Sequence, residues 1–199
     1  MKSLYFASLN RGKTVEMRAL LAGVVEILDL NALGLAIHWE ENGKSFQENA
    51  AIKARAVQAA IAGPVFADDS GLCVAALDGA PGIYSARWAG EGADDAANNQ
   101  KLLQALRAVP AHKRQAYFQC SVVYKNAEGD EYAFEGRLRG RILEKLRGSD
   151  GFGYDPLFVP DGFSQTLAEM TLQEKNRMSH RALAIGEFRN FLASVKLKN

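Results

Sequence analysis

Apolar residues along the chain fall into short runs and helical stripes, divided by glycine-rich punctuation. This pattern predicts strands and helices in alternation. Residues 3–7 (S-L-Y-F-A) read as a short buried strand, broken by Asn10-Arg11-Gly12. A helical pattern runs from 13 to 21, with Val15, Leu20 and Leu21 among its apolar positions, and Gly23 ends it. Residues 24–30 read as a second strand. Ser45-Phe46-Gln47-Glu48 has the S-x-x-E capping-box form and opens an alanine-rich helix expected to reach Ala62, with Gly63-Pro64 as its stop. Residues 65–67 predict a short strand that runs straight into Asp68-Asp69-Ser70-Gly71.

Beyond it, 78–92 is rich in glycine and small residues and reads as loop, and 93–109 is helical. Residues 115–125 and 131–139 predict two strands joined by a turn at 126–130, a hairpin. A second glycine-rich loop spans 148–155, Thr171-Leu172-Gln173-Glu174 repeats the capping-box pattern, and a last amphipathic helix covers 179–195. No internal repeat or linker interrupts this order. The mixture predicts an α/β or α+β class built on a mixed sheet.

Bulk properties narrow the field. At 199 residues the chain fits one domain, or two lobes sharing a core, and should bury roughly 70% of its unfolded surface without staples. Hydrophobic residues are 48%, charged residues 24%, and the net charge is +1, so no nucleic-acid or membrane surface is advertised. No stretch approaches the ~20 apolar residues of a membrane helix. The first residues carry too short an apolar run for a signal peptide, which makes the cytosol the expected compartment. Cys73 and Cys120 are far apart with no C-x-x-C, and there are only three histidines. Any metal is therefore expected to be a hard cation held by carboxylates.

Four constellations could carry chemistry. Ser8-Leu9-Asn10-Arg11-Gly12-Lys13 sits at a strand-to-helix turn, where free N–H groups and the helix dipole suit an anion and Lys13 could contact a phosphate. The run 7–14 would be a P-loop if position 7 were Gly. A second near-miss ends at Gly43-Lys44-Ser45, with His38 where the first glycine belongs. The second constellation is acidic. Glu40-Glu41 and Asp68-Asp69 each close a strand candidate, and such carboxylates can converge on one Mg²⁺ or position an attacking water. Glu48 is read as the N3 residue of its capping box, and Lys53 lies one helical turn after Asn49, on the same face. The third, Gly151-Phe152-Gly153-Tyr154-Asp155-Pro156, lets a flat ring pack near backbone, with Asp155 able to accept from base N–H groups. Lys175 with Ser179-His180-Arg181 supplies donors at a helix start, although Ser179 also fits a plain N-cap.

Together these motifs resemble the inosine triphosphate pyrophosphatase (noncanonical purine nucleotide pyrophosphatase) family over nearly the whole chain. The segments that carry the resemblance are S-L-N-R-G-K, S-F-Q-E-N-A-A-I-K-A, F-A-D-D-S-G-L, G-A-P-G-I-Y-S-A-R-W, G-F-G-Y-D-P and M-S-H-R-A-L-A, in the family's order. Leu9 departs from it, since Gly is common there. The resemblance implies an elongated α/β fold, a mixed β-sheet flanked by helices, as a single domain of two lobes with a central nucleotide-binding cleft, usually a homodimer. It also implies hydrolysis of ITP, dITP or XTP to the monophosphate and pyrophosphate with Mg²⁺. On that likeness, the segment from Ser8 through Leu9, Asn10, Arg11 and Gly12 to Lys13 meets the triphosphate. Glu40 or Glu41 and Asp69 hold Mg²⁺, Asp69 is the general base, and Asp68, Ser70 and Lys53 support that site as further metal or substrate contacts. Phe152 stacks on the base, and Gly153, Tyr154, Asp155, Lys175, His180 and Arg181 complete the nucleotide pocket. Donors such as Arg181 or His180 would pair with a 6-oxo purine and reject adenine. The segment 79–87 looks like the family's loop near the subunit contact. The rival readings are a P-loop ATPase or GTPase, a Maf-like pyrophosphatase of other modified nucleotides, and a nucleotide-binding module without turnover.

Overall fold

The computed structural model describes residues 3–31, 33–61 and 63–195. Six strands form one mixed sheet: β1 (Ser3–Phe6), β2 (Glu26–Asp29), β3 (Val65–Val74), β4 (Gln115–Lys125), β5 (Glu131–Ile142) and β6 (Phe158–Pro160), in the order β2-β1-β3-β4-β5-β6. β1 runs parallel to both β2 and β3, whereas β5 and β6 are antiparallel. The helices are α1 (Arg11–Leu20), α2 (Phe46–Ala60), α3 (Asp95–Ala105), α4 (Leu172–Lys175) and α5 (His180–Ser194). Among the described residues no helix is long and apolar enough to cross a membrane.

The helix starts follow from their caps. Asn10 accepts from the Lys13 N–H at the head of α1, and Ser45 accepts from the Glu48 N–H at the head of α2. The expected box at α2 is half made, because the Glu48 carboxylate takes the Lys44 N–H at 2.6 Å in place of that of Ser45. The Thr171 box at α4 is complete. α1 starts two residues earlier than the sequence pattern indicates, and its Val15 is exposed, while Met17 and Leu21 are buried. Ala62, the expected end of α2, lies outside the described residues. α3 stops at Ala105, short of 109. There the buried Arg114 guanidinium donates to the carbonyls of Leu106, Val109 and Leu143, which satisfies groups a longer helix would have used.

The largest departure is β3. Expected to end at 67, it continues through Asp68-Asp69-Ser70-Gly71 to Val74. Residues 35–43 form no strand, so Glu40-Glu41 close none. The three-residue β6 had no alternating signal to reveal it.

The chain divides into two compact units. One comprises Met1–Asp69, Cys120–Gly136 and His180–Asn199, and the other Ser70–Gln119 and Arg137–Ser179. In the first unit, strand alternation feeds two cores. Phe66, Cys120, Val122 and Tyr124 pack with Met17 and Leu21 of α1 and Ile185 and Phe188 of α5. Their odd-numbered neighbours Val65, Ala67 and Val123 pack with Ala50, Ala54 and Val57 of α2. α5 buries His180, Ala184, Phe188 and Leu192 at a spacing of four. The second unit has its own core, including Leu72, Val74, Leu102, Phe118, Ile142 and Phe158.

Gly136 of β5 lets the start of α5 approach: a Cβ there would lie 2.1 Å from the His180 carbonyl oxygen and 2.5 Å from the Ala184 nitrogen, both main-chain atoms. Gly136→Ala should therefore cost about 1–3 kcal/mol in chemical denaturation. Gly186→Ala, inside α5 with nothing within 4 Å of the added methyl, should be neutral or stabilising by about 0.5–1 kcal/mol. Equal effects at both positions would show that the close approach does not constrain the fold.

Candidate functional site

The chemistry-bearing side chains of the first unit gather on the two faces of β3. Asp68 and Asp69 are consecutive strand residues and so project to opposite faces. Asp69 faces α2. Its Oδ2 accepts from Asn49 Nδ2 at 3.2 Å, and its Oδ1 pairs with Lys53 Nζ at 3.1 Å. Asn49 and Lys53 are one turn apart, so the helical period brings both to the same carboxylate. Lys53 Nζ also reaches Glu41 Oε1 at 3.0 Å, and Glu41, Lys53 and Asp69 become one chain of charges. Glu40, next to it, is exposed.

Asp68 faces α1 and α5. Its Oδ2 lies 3.0 Å from Lys13 Nζ and 3.3 Å from an Arg181 guanidinium nitrogen, with the Cys120 thiol at 3.9 Å. Arg181 pairs at the same time with Glu16 of α1. Asp68 and Arg181 are fully enclosed, whereas the Lys13 side chain keeps 14% of its exposure.

These placements revise the sequence reading at two points. Asp68, expected beside Asp69 on one cation, is turned to the opposite face, with its Oδ2 on Arg181 and Lys13. Arg181, expected as a donor to the base, is enclosed, and two buried carboxylates hold its guanidinium. Glu16 and Asn49 were missed as site residues. A glutamate among the apolar positions of α1 was the one signal for Glu16, and the spacing to Lys53 was the signal for Asn49.

The environment sets the proton affinities. Burial raises the Asp69 carboxyl above the ordinary aspartate value, and the Lys53 and Lys13 ammonium groups only partly offset this. Burial works against the Lys53 charge, but Asp69, Glu41 and Asp68 outweigh it and hold the ammonium above its ordinary value. At Arg181 desolvation is likewise outweighed by Asp68 and Glu16, so the guanidinium stays charged. Among the described residues no three His, Cys, Asp or Glu side chains converge as a closed metal cage. Mg²⁺ would ask less of the protein, because it keeps several waters and draws on substrate phosphates, with one or two carboxylates from protein. Glu41 and Asp69, which already share a cation in Lys53, supply that number.

At the start of α1, Ser8 Oγ accepts from the Asn10 N–H at 3.2 Å and Asn10 caps Lys13. Leu9 and Arg11 are exposed, and Gly12 is half-buried in the first helical turn. The Asn10 and Lys13 N–H groups are thus taken by side chains of the turn itself.

In the second unit the loop 148–155 is drawn around Asp155. Gly151 has φ +77° and a Cβ there would lie 2.2 Å from Asp155 Oδ2, so the turn excludes a side chain. That oxygen accepts from the Phe152 N–H at 3.1 Å and pairs with Lys175 Nζ at 2.5 Å. Lys175 Nζ in turn lies 4.8 Å from the centroid of the Phe152 ring. Phe152 is half-buried. Tyr154, expected in the pocket, is buried, its hydroxyl donating to the Ser85 carbonyl at 2.9 Å; burial pushes that hydroxyl far above its ordinary value. Ser70 follows Asp69 on β3 and is half-buried, and His180 is buried at the first position of α5.

Comparison with known proteins adds an independent line. A model described as the Ham1 family matches residues 4–191. The chain is 45% identical over 196 residues to the dITP/XTP pyrophosphatase of Porphyromonas gingivalis, covering 98% of this chain and 100% of that one. It is 46% identical over 194 residues to that of Geobacter sulfurreducens, covering 96% and 97%. Among solved structures, a HAM1 protein from Coxiella burnetii superimposes with a TM-score of 0.87 at 38% identity, covering 98% of this chain and 100% of that one. A nucleoside-triphosphatase / dITP/XTP pyrophosphatase from Mycobacterium abscessus does so with 0.76 at 41%, covering 94% and 98%.

The buried cluster yields a stability test. Arg181→Ala leaves the Asp68 and Glu16 carboxylates enclosed without the cation they share, and should cost about 3–5 kcal/mol in urea denaturation. Glu40→Ala, at an exposed position, should stay within about 0.5 kcal/mol of the parent. A small loss for Arg181→Ala would mean that Lys13 alone neutralises the cluster.

Proposed function

The chain belongs to the Ham1 family, and from that membership and the site geometry we propose that it is a house-cleaning hydrolase that converts ITP, dITP or XTP to the monophosphate and pyrophosphate. It works with Mg²⁺, as a cytoplasmic homodimer acting on free nucleotides. The observation that carries the reading is the placement of Asp69: a buried carboxylate gripped by Asn49 and Lys53, with Glu41 on the same lysine. The named relatives favour it over a Maf-like pyrophosphatase or a binding module.

In-line attack of water on the α-phosphorus, with pyrophosphate leaving, is chiefly a matter of positioning and charge stabilisation. Glu41 and Asp69 would hold Mg²⁺, which would supply charge neutralisation to the phosphates and the leaving group. Asp69 also orients the water and takes its proton. Asn49 and Lys53 fix its two oxygens. Lys53 and Lys13 give fixed positive charge beside the phosphates. The Ser8–Lys13 turn accepts the triphosphate through main-chain N–H groups at the head of α1.

The base is assigned to Phe152, with Lys175 and Asp155 holding the ring. Recognition of the 6-oxo edge is assigned to His180 at the start of α5; its neighbour Arg181, held by Asp68 and Glu16, anchors that helix start. A site built around an acceptor at position 6 leaves donors unsatisfied against the adenine amino group, a mismatch that can discriminate by roughly 10⁴-fold or more.

Product analysis with ITP, XTP, GTP and ATP, each with Mg²⁺, tests the reading by phosphorus NMR or ion chromatography. Monophosphate and pyrophosphate should appear, with ITP and XTP far ahead, and Asp69→Asn should lower kcat by about 10²–10⁴. Orthophosphate with diphosphate would overturn attack at the α-phosphorus, and absence of turnover would leave only a binding module.

A further inference from the structure

The loop that carries Phe152 is flanked on both sides of the ring by glycines in the left-handed region, Gly151 at φ +77° and Gly153 at φ +62°. Glycine is the least restrained residue of a chain, so a ring held between two of them keeps one orientation only where other groups fix its peptides. On the Gly151 side Asp155 does this by accepting the Phe152 N–H. On the Gly153 side the work falls to α3. Asp95 Oδ2 accepts the Gly153 N–H at 2.6 Å, and Asn99 Nδ2 donates to the Gly153 carbonyl at 2.8 Å. One residue thus has both its main-chain polar groups taken by side chains from one helix. Asp95 and Asn99 are four apart, so they present from the same face of α3. Asn99 is 4% exposed and donates also to the Asp95 carbonyl at 2.8 Å. With two carbonyl oxygens in front of Nδ2, the orientation of the amide is fixed, because the flipped form would set oxygen against oxygen.

We propose that Asp95 and Asn99 form a two-point clamp on Gly153 that holds the Phe152 ring ready for a purine base, and are positioning residues that set substrate affinity. This rests on the assignment of Phe152 to the base. Without the clamp, the glycine-flanked peptides regain freedom that substrate binding must then remove, so affinity falls while the chemistry at Asp69 is untouched. Neither residue belongs to a motif that the sequence pattern singles out.

Steady-state kinetics with ITP and Mg²⁺ on Asp95→Ala, Asn99→Ala, Asp95→Asn, Asn99→Asp and Phe152→Ala test it, with the Tm of each variant recorded. Asp95→Ala and Asn99→Ala should each raise KM about five- to tenfold, with kcat within about twofold of the parent. Asp95→Asn keeps an acceptor oxygen for the Gly153 N–H and should restore KM to within about twofold, which separates the hydrogen bond from the charge at the helix start. Asn99→Asp should be at least as damaging as Asn99→Ala, because it sets a carboxylate oxygen against the two carbonyls. If Phe152→Ala raises KM and the clamp variants do not, the clamp is overturned and the base assignment stands. If Phe152→Ala leaves KM unchanged, the base assignment is overturned and the clamp with it. A fall in Tm or kcat without a change in KM would reduce Asp95 and Asn99 to supports of the fold and overturn the proposal.

Discussion

Consecutive residues of a β-strand must point to opposite faces, and at Asp68-Asp69 this constraint divides the charged groups of the first unit into two. One carboxylate goes with α1 and α5, the other with α2. Each would be costly to bury alone, and each helix answers with a cation: Lys13 and Arg181 for Asp68, Lys53 for Asp69. Glu16 and Glu41 then occupy the remaining sides of Arg181 and Lys53. The count is four carboxylates against three cations. A surplus of negative charge favours a further cation beside these carboxylates, and under the proposed function Mg²⁺ would be that cation.

The two groups differ in character. Around Asp68 the contacts are enclosed, and Arg181 ties α5 to both α1 and β3. That is the composition of a structural joint, in which loss of one member exposes the others to the full desolvation penalty. Around Asp69 the Glu41 end remains half-exposed and the carboxyl has a raised proton affinity. A group held in that condition gives up stability, and reactive groups are commonly tuned in this way. The strand therefore separates a group that maintains the fold from one suited to react, although the two residues adjoin in sequence.

Much of this was legible beforehand, for reasons that are local. Caps at Asn10, Ser45 and Thr171, the hairpin of 115–139 and the spacing of α5 depend on residues within four or so of one another. The Asn49–Lys53 face was visible for the same reason. β3 was cut short because Asp-Asp-Ser-Gly has the composition of a turn; only the cations arriving on both faces make it a strand. Arg181 looked like a free donor because its partners, Glu16 and Asp68, are 165 and 113 residues away. The glycines around Phe152 announced a special turn, but no period or motif pointed to the groups on α3 that hold it. Local chemistry locates a turn, and long-range packing decides what the turn presents.

Lys13 and Arg181 share Asp68 on unequal terms. The guanidinium is planar, enclosed and bound to two carboxylates, and has little freedom to leave either. The ammonium is a point charge on a flexible stem, partly open to solvent, and Arg181 stays paired with Asp68 beside it. Lys13 is thus the exchangeable member of the pair. In the proposed reaction its move toward a phosphate at the head of α1 would leave Arg181 to serve Asp68 and Glu16 together. Placing two cations on one carboxylate looks redundant as a contribution to stability. Under the proposed function it becomes intelligible, since one of the two would be released for binding while the strand keeps its register.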